Sequence, residues 1–241
     1  RDGQNKRLDM AGPVYIAGPT AVGKTAIAIE VAREIGGEII SVDSMQVYRL
    51  MNIGTAKPTT AERADIPHHL IDVVNPSDSF DAATFVDHAK LATERIKRPI
   101  LCGGTGLYFQ AWLEGLGEVP GADDSLREEL ETMDTSALLA ELCEKDPAIH
   151  QVIDHHNRRR LVRAVEVIRL TGEAFSAQRA EWKGKATANF FLLQREPEDL
   201  RQRIEARGDK MFKEGLVEET RNILFAFEQN RTAQQALGYK Q

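Results

Sequence analysis

The chain has little cysteine, no long apolar run and no surplus of positive charge, and each shortage excludes something. Its two cysteines, Cys102 and Cys143, are too few for a disulfide framework, and no Cys-x-x-Cys pair suggests zinc. Two reduced thiols in a cytoplasmic protein are the expectation. No stretch approaches the ~20 apolar residues that a membrane-spanning helix needs, so no membrane partner is expected. Residues 1–10 are polar and charged, and read as a fraying tail rather than a signal peptide or anchor. Lysine and arginine total 31 against 37 acids, a formal charge of −6. Nucleic-acid binders usually carry a basic surplus, so any such role here needs a local cationic face. The adjacent pairs His68-His69 and His155-His156 point in different directions on any regular element, and neither resembles a metal site.

A hydrophobic share of 42% beside a charged share of 28% describes a folded globular chain. Four short apolar runs, at 14–17, 38–42, 70–74 and 100–102, alternate with helical stretches at 25–35 and 81–98. Ala28, Val31, Ala32 and Ile35 recur at three- and four-residue steps, as on a helix lying against a sheet. Such alternation predicts an α/β fold with a parallel sheet covered on both faces. From 117 to 186 the periodicity is helical throughout. The expected organisation is a core over 11–116, an all-helical insertion over 117–186, and the rest of the core over 187–241. Residues 190–194 read as another buried strand. A long amphipathic segment over 198–227 is interrupted by Gly215, leaving one helix or two open.

Residues 18–25, Gly-Pro-Thr-Ala-Val-Gly-Lys-Thr, fit G-x-x-x-x-G-K-[ST] at every fixed position, with a strand before and a helix after. Gly18 and Gly23 let the backbone curl so that the N–H groups of the loop, through Pro19, Thr20, Ala21 and Val22, surround phosphate oxygens. The following helix adds the positive end of its dipole. Lys24 supplies a point charge, and the Thr25 hydroxyl can ligate Mg²⁺. The loop specifies a diphosphate and leaves the reaction open among kinases, nucleotide hydrolases and transferases.

Asp43 ends the second apolar run. Ligands of open parallel sheets sit beyond the carboxyl ends of the strands, so Asp43 should face the loop, either to take a proton from an acceptor or to sit behind the magnesium. A helix cap is the competing reading. Asp72 competes for the acid role but lies within an apolar run, which favours Asp43. Gly103-Gly104-Thr105-Gly106 is a second strand-to-helix glycine turn, in which Thr105 either touches a ligand or closes a plain turn. Arginines 158, 159, 160, 163 and 169 share one predicted helix with a single acid, Glu166. Leu161, Val165 and Ile168 take its other side, so the cationic face suits a phosphate backbone or, equally, open solvent. Arg203 and Arg207 either reach the diphosphate or make ordinary helix salt bridges.

Taken in order, the motifs resemble one family, the tRNA dimethylallyltransferases. They are GPTAVGKT (18–25), SVDSMQVYR (41–49), GTAKP (54–58), PHHLID (67–72), GGTGLY (103–108), RRLVRAVEV (159–167), RIEARGDKMFKEGLVEE (203–219) and ALGYKQ (236–241). The resemblance implies a P-loop-type core that holds dimethylallyl diphosphate, with Mg²⁺ on Thr25, and prenylates N6 of the adenine beside the anticodon (position 37). It makes Asp43 the base and Arg207 a diphosphate ligand, with Lys24 in the phosphate site and Thr105 beside the target base. It implies contacts to the anticodon stem-loop from Asp43, Ser44, Met45, Gln46, Thr105, Arg159, Arg160, Arg163, Gln235 and Lys240; a monomer is the expectation. Family members carry a larger apolar residue where this chain has Gly208, which could loosen the helix bearing Arg207. They also continue for several tens of residues past the GYKQ motif into basic helices, so a truncated C-terminus is expected. Rival readings are an adenylate dimethylallyltransferase, a small-metabolite kinase and a non-catalytic nucleotide-binding module.

Overall fold

The computed structural model describes residues 12–184, 187–228, 230, 232–236, 238 and 239. They fall into two compact units, one made of the chain up to Trp112 and from Ala186 onward, the other of Leu113–Lys185.

In the first unit, β1 (Val14–Ala17), β2 (Glu38–Val42), β3 (His68–His69), β4 (Pro99–Gly103) and β5 (Phe190–Leu192) form one sheet in the order β3-β2-β4-β1-β5. Every pairing is parallel. The crossovers carry α1 (Lys24–Ile35), α2 (Thr60–Asp65) and α3 (Ala82–Thr93), and α4 (Gly106–Glu114) follows β4. The stripe expected on α1 packs inward: Ala28, Ile29 and Ala32 join Val14, Ile16, Ile39 and Ile100 in the core, with Val31 and Ile35 packed against it. Asp81 caps α3 by accepting the N–H of Thr84.

Two expected strands need correction. The run 70–74 is irregular; β3 lies just before it, at His68–His69. Leu70 and Asp72 adopt positive φ (61° and 58°), which a continuous strand does not allow. Only Val74 makes an isolated bridge, to Tyr48. The strand near 190 is an edge strand, with Phe191 and Leu192 about half-exposed rather than buried.

The second unit is helical, with α5 (Asp124–Thr132), α6 (Thr135–Lys145), α7 (Pro147–Val152), α8 (Arg158–Thr171) and the short α9 (Phe175–Gln178). Leu130, Leu138, Leu142, Ile149, Leu161, Val165 and Ile168 make a core of their own. After β5, the amphipathic stretch of the first unit is two helices, α10 (Pro197–Lys213) and α11 (Leu216–Glu228), divided at Gly215 with φ 102°. Gly208 does not interrupt α10, and a Cβ there would meet nothing within 4 Å. Among the described residues no helix is long and apolar enough to cross a membrane.

Gly103, the partner of Val42 in the β2–β4 pairing, leaves no room for a side chain. A Cβ there would lie 1.9 Å from the Val42 carbonyl oxygen. Gly103→Ala is therefore expected to lower stability by about 3 kcal/mol, through forced separation of β2 and β4; urea unfolding measures it.

Candidate active site

Parallel pairing brings the C-terminal ends of β1, β4 and β2 side by side. The chain passes from β1 to β2 with β4 between them, so these ends border the crevice where such sheets bind ligands. The loop 18–25 leaves β1 there. Gly18 (φ 157°) and Gly23 (φ 103°) take backbone conformations that side chains disfavour, and Ala21 sits at φ 61°. A Cβ on Gly18 would stand 2.8 Å from the Leu193 carbonyl oxygen, so the loop lies tight against the chain leaving β5. Val22 is buried, Pro19 and Thr20 are exposed, and Thr25, in the first turn of α1, is half-buried.

Lys24 bends back over this loop, its ammonium donating to the carbonyls of Gly18 (2.9 Å) and Pro19 (2.7 Å). Arg207 reaches in from α10 and donates to the Thr20 hydroxyl at 3.0 Å. Among the described residues neither cation has a carboxylate within 4 Å, whereas Arg203 pairs with Asp199 at 3.0 Å. The two readings left open for the α10 arginines thus divide, with Arg203 in a helix salt bridge and Arg207 at the loop. Burial holds the Lys24 ammonium below its ordinary pKa; the charge of Asp43 pulls it back up, and Arg207 pushes it further down. Arg207 is lowered by burial and raised by Asp43. The Cys102 thiol, pushed up to about 12 by burial, is uncharged at neutral pH. Two desolvated cations facing each other, with one nearby carboxylate, make a site that gains by binding an anion.

That carboxylate is Asp43. Its Oδ1 accepts the N–H groups of Met45 (2.8 Å) and Gln46 (3.2 Å), closing a turn just after β2. The capping and site readings therefore describe the same side chain: one oxygen holds the turn, and the charge acts on Lys24 and Arg207. Thr105 caps the neighbouring turn. Its N–H donates to Val42 (3.2 Å), and its hydroxyl accepts the Ser44 N–H at 3.1 Å. Gln46 is clamped as well, accepting from the Ser41 hydroxyl (2.9 Å) and donating to the carbonyls of Thr55 (3.2 Å) and Ala56 (3.4 Å). Ser44 and Met45 lie half-buried between them. Asp72 is otherwise engaged: Lys57 (2.6 Å) and Arg63 (2.8 Å) both pair with it. Burial would raise its pKa, but those two cations outweigh burial and hold it below the ordinary value. Asp72 is a structural anion.

Sequence reasoning missed Arg195. Leu193 N–H donates to Ala17 at 2.8 Å, which extends the β1–β5 pairing and delivers Arg195 to the loop. There its Nε donates to the Val22 carbonyl (2.8 Å) while Nη1 pairs with Asp199 (2.7 Å). The usable signal was its place just past a strand adjoining β1.

The arginines of α8 do not form one cationic face. Arg163 turns onto the fully buried Glu166 (2.6 Å) and donates to the carbonyls of Pro120 and Gly121. Arg158 binds the carbonyls of Leu130, Glu131 and Met133, and Arg169 pairs with Glu129 and Glu141. Arg159 and Arg160 are exposed, with no ion-pair partner among the described residues. Lys240 lies outside the described residues; Gln235 closes a 3₁₀ turn over Ala233–Gln235. Among the described residues no group of three or more His, Cys, Asp or Glu could hold a metal ion.

Two family models match this chain: IPP transferase over residues 46–241 and isopentenyl transferase over residues 13–72. A tRNA dimethylallyltransferase of Shouchella clausii is 45% identical over 239 residues, covering 95% of this chain and 76% of the relative. One from Sulfurihydrogenibium is 42% identical over 237 residues, covering 95% and 77%. Among solved structures, the full-length tRNA isopentenylpyrophosphate transferase of Bacillus halodurans is 39% identical with a TM-score of 0.61, covering 95% of this chain and 75% of that one. A eukaryotic dimethylallyltransferase acting on tRNA is 31% identical with a TM-score of 0.74, covering 91% and 57%.

Because Arg163 is committed to a buried carboxylate, Arg163→Ala is expected to cost about 2 kcal/mol of stability. Arg127 remains at 2.9 Å to share the Glu166 charge, which limits the loss. Thermal unfolding of the variant checks the figure.

Proposed function

The chain belongs to the tRNA dimethylallyltransferase family, and from that premise we propose the reaction and the role of each residue. It is a prenyltransferase that moves a dimethylallyl group from dimethylallyl diphosphate to N6 of the adenine at position 37, beside the anticodon, and releases diphosphate. The observation that carries this reading is the pair of cations at the glycine loop, Lys24 within it and Arg207 bonded to its Thr20, with no carboxylate ion-paired to either among the described residues and the Asp43 charge acting on both.

An exocyclic adenine amine is a weak nucleophile, because its lone pair is delocalised into the ring. The amine nitrogen forms a bond to the allylic C1 as the C1–O bond to diphosphate breaks. The N6 proton passes to Asp43, whose turn keeps one carboxylate oxygen on backbone N–H groups and leaves the other for the amine. Charge accumulating on the leaving diphosphate is taken up by Lys24, Arg207 and the N–H groups of the loop. A target base in a single-stranded loop leaves its stack at little cost. Thr105 and Gln46 border the acceptor side of Asp43, and their bonds to the 44–56 region fix its shape.

A magnesium ion fits this donor set. Thr25 offers one hydroxyl and Asp43 is the acid at hand, which suits an ion bound mainly by substrate phosphate oxygens and water. Bound there, it would neutralise diphosphate charge. On the helical unit, the exposed Arg159 and Arg160 are the residues of α8 available to RNA phosphates. We further propose that the enzyme acts as a cytoplasmic monomer.

Mass spectrometry of an anticodon stem-loop incubated with dimethylallyl diphosphate and magnesium tests the reaction. A gain of one C5H8 unit on the adenine is expected; modification of free AMP instead, or consumption of ATP, would overturn it. In that assay Asp43→Ala should lower turnover by ~10²-fold or more with modest change in tRNA binding. Arg160→Ala should weaken tRNA binding and reduce the slope of log affinity against log salt by about one unit; filter binding across a salt series measures it.

A further inference from the structure

In the loop 52–57, backbone N–H and carbonyl groups are held by side chains from three other parts of the first unit. Glu219, on α11, accepts the N–H of Asn52 (3.0 Å), of Ile53 (2.9 Å) and of Gly54 (3.3 Å). Successive N–H groups converging on one point form an anion-binding nest, and here the anion is the protein's own carboxylate. Tyr239 closes the arrangement. Its hydroxyl donates to Glu219 and accepts the Gly54 N–H at 3.1 Å. Burial, then Glu219, raise the phenol far above its ordinary pKa, so the hydroxyl keeps its proton.

Packing points the same way. A Cβ on Gly54 would stand 2.3 Å from the Tyr239 ring and 2.9 Å from Leu216, so the ring rests directly on the backbone of the loop. The loop leads onward to the acceptor side. Its Thr55 and Ala56 carbonyls receive the Gln46 carboxamide, and the Gln46 N–H lies on Asp43 at 3.2 Å. A continuous series of bonds thus runs from Tyr239 and Glu219, through 52–56, to the turn that carries Asp43.

We propose that Glu219 and Tyr239 are positioning residues for the acceptor: they hold the 52–56 loop so that Gln46 and Asp43 are preorganised for the adenine, while the diphosphate site stands independently of them. The inference rests on the transferase reading above and adds to it the residues that shape its acceptor half. The diphosphate site is built from residues 18–25 and Arg207, and its two cations bond within it, Lys24 to Gly18 and Pro19 and Arg207 to Thr20.

The test uses the full chain with Tyr239→Phe, which keeps the ring and removes the hydroxyl, and with Glu219→Gln, which keeps the shape and removes the charge. For each, KM for the stem-loop should rise or kcat should fall by about 10- to 100-fold, as expected for loss of charge-assisted bonds. KM for dimethylallyl diphosphate should stay within about twofold of wild type, because a mutation acting on one substrate site leaves the other unchanged. Amide hydrogen exchange should show faster exchange at 52–54 in Glu219→Gln. Parallel changes in both KM values, or wild-type kcat together with a wild-type KM for the stem-loop, would overturn the proposal. Binding of inorganic diphosphate at wild-type affinity certifies that a variant is folded, and a variant that fails to bind it counts against the independence claimed. A wild-type enzyme that transfers nothing to the stem-loop would sink the transferase reading itself, an outcome distinct from wild-type transfer with an unsplit variant.

Discussion

Parallel pairing is the constraint from which the rest of this molecule follows. When every strand runs the same way, every strand exits at the same edge, and the loops that leave it are gathered whatever their separation in sequence. In this chain the gathered loops are the glycine loop after β1, the Asp43 turn after β2 and the Thr105 turn after β4. The pairing is close enough that Gly103 must pass within contact of the Val42 backbone. The chemistry inherits its geometry from that ladder, and helices need only deliver single side chains such as Arg207 to it.

The electrostatic design is uneven, and the unevenness carries meaning. Most arginines of both units are neutralised by neighbours: Arg33 by Asp65, Arg63 by Asp72, Arg203 by Asp199 and Arg169 by Glu141. Lys24 and Arg207 stand apart, desolvated and without a carboxylate partner among the described residues. Such an arrangement costs stability in the free protein, and a diphosphate bound there relieves the cost. The same comparison separates Asp72, ion-paired to two cations, from Asp43, which accepts backbone N–H groups and has no ion-pair partner among the described residues.

Much of this was legible in the sequence, because local rules cover it. A glycine loop between a strand and a helix has one common use, Gly215 marked the break between α10 and α11, and Asp43 stood at a strand end. The failures share a cause: they depend on what touches what. The run 70–74 looks like a strand, but Lys57 and Arg63 draw Asp72 into a positive-φ bend. Arg163 looks like part of a basic face, but its partner Glu166 is buried, and nothing in the spacing of charges reveals burial. Arg195 is remote in sequence from the loop it touches. The number of arginines along α8 does not distinguish a surface charge from an internal tie.

The pairing of β1 with β5 carries a consequence for biosynthesis. Arg195 reaches Val22 across 173 positions and Arg207 reaches Thr20 across 187. On the ribosome the glycine loop therefore emerges well before the elements that brace it. Contacts so distant along the chain form late and slowly, and domains that can close locally fold first. The helical unit, whose core lies within one continuous stretch, should therefore consolidate on the ribosome while the sheet of the first unit still waits for β5.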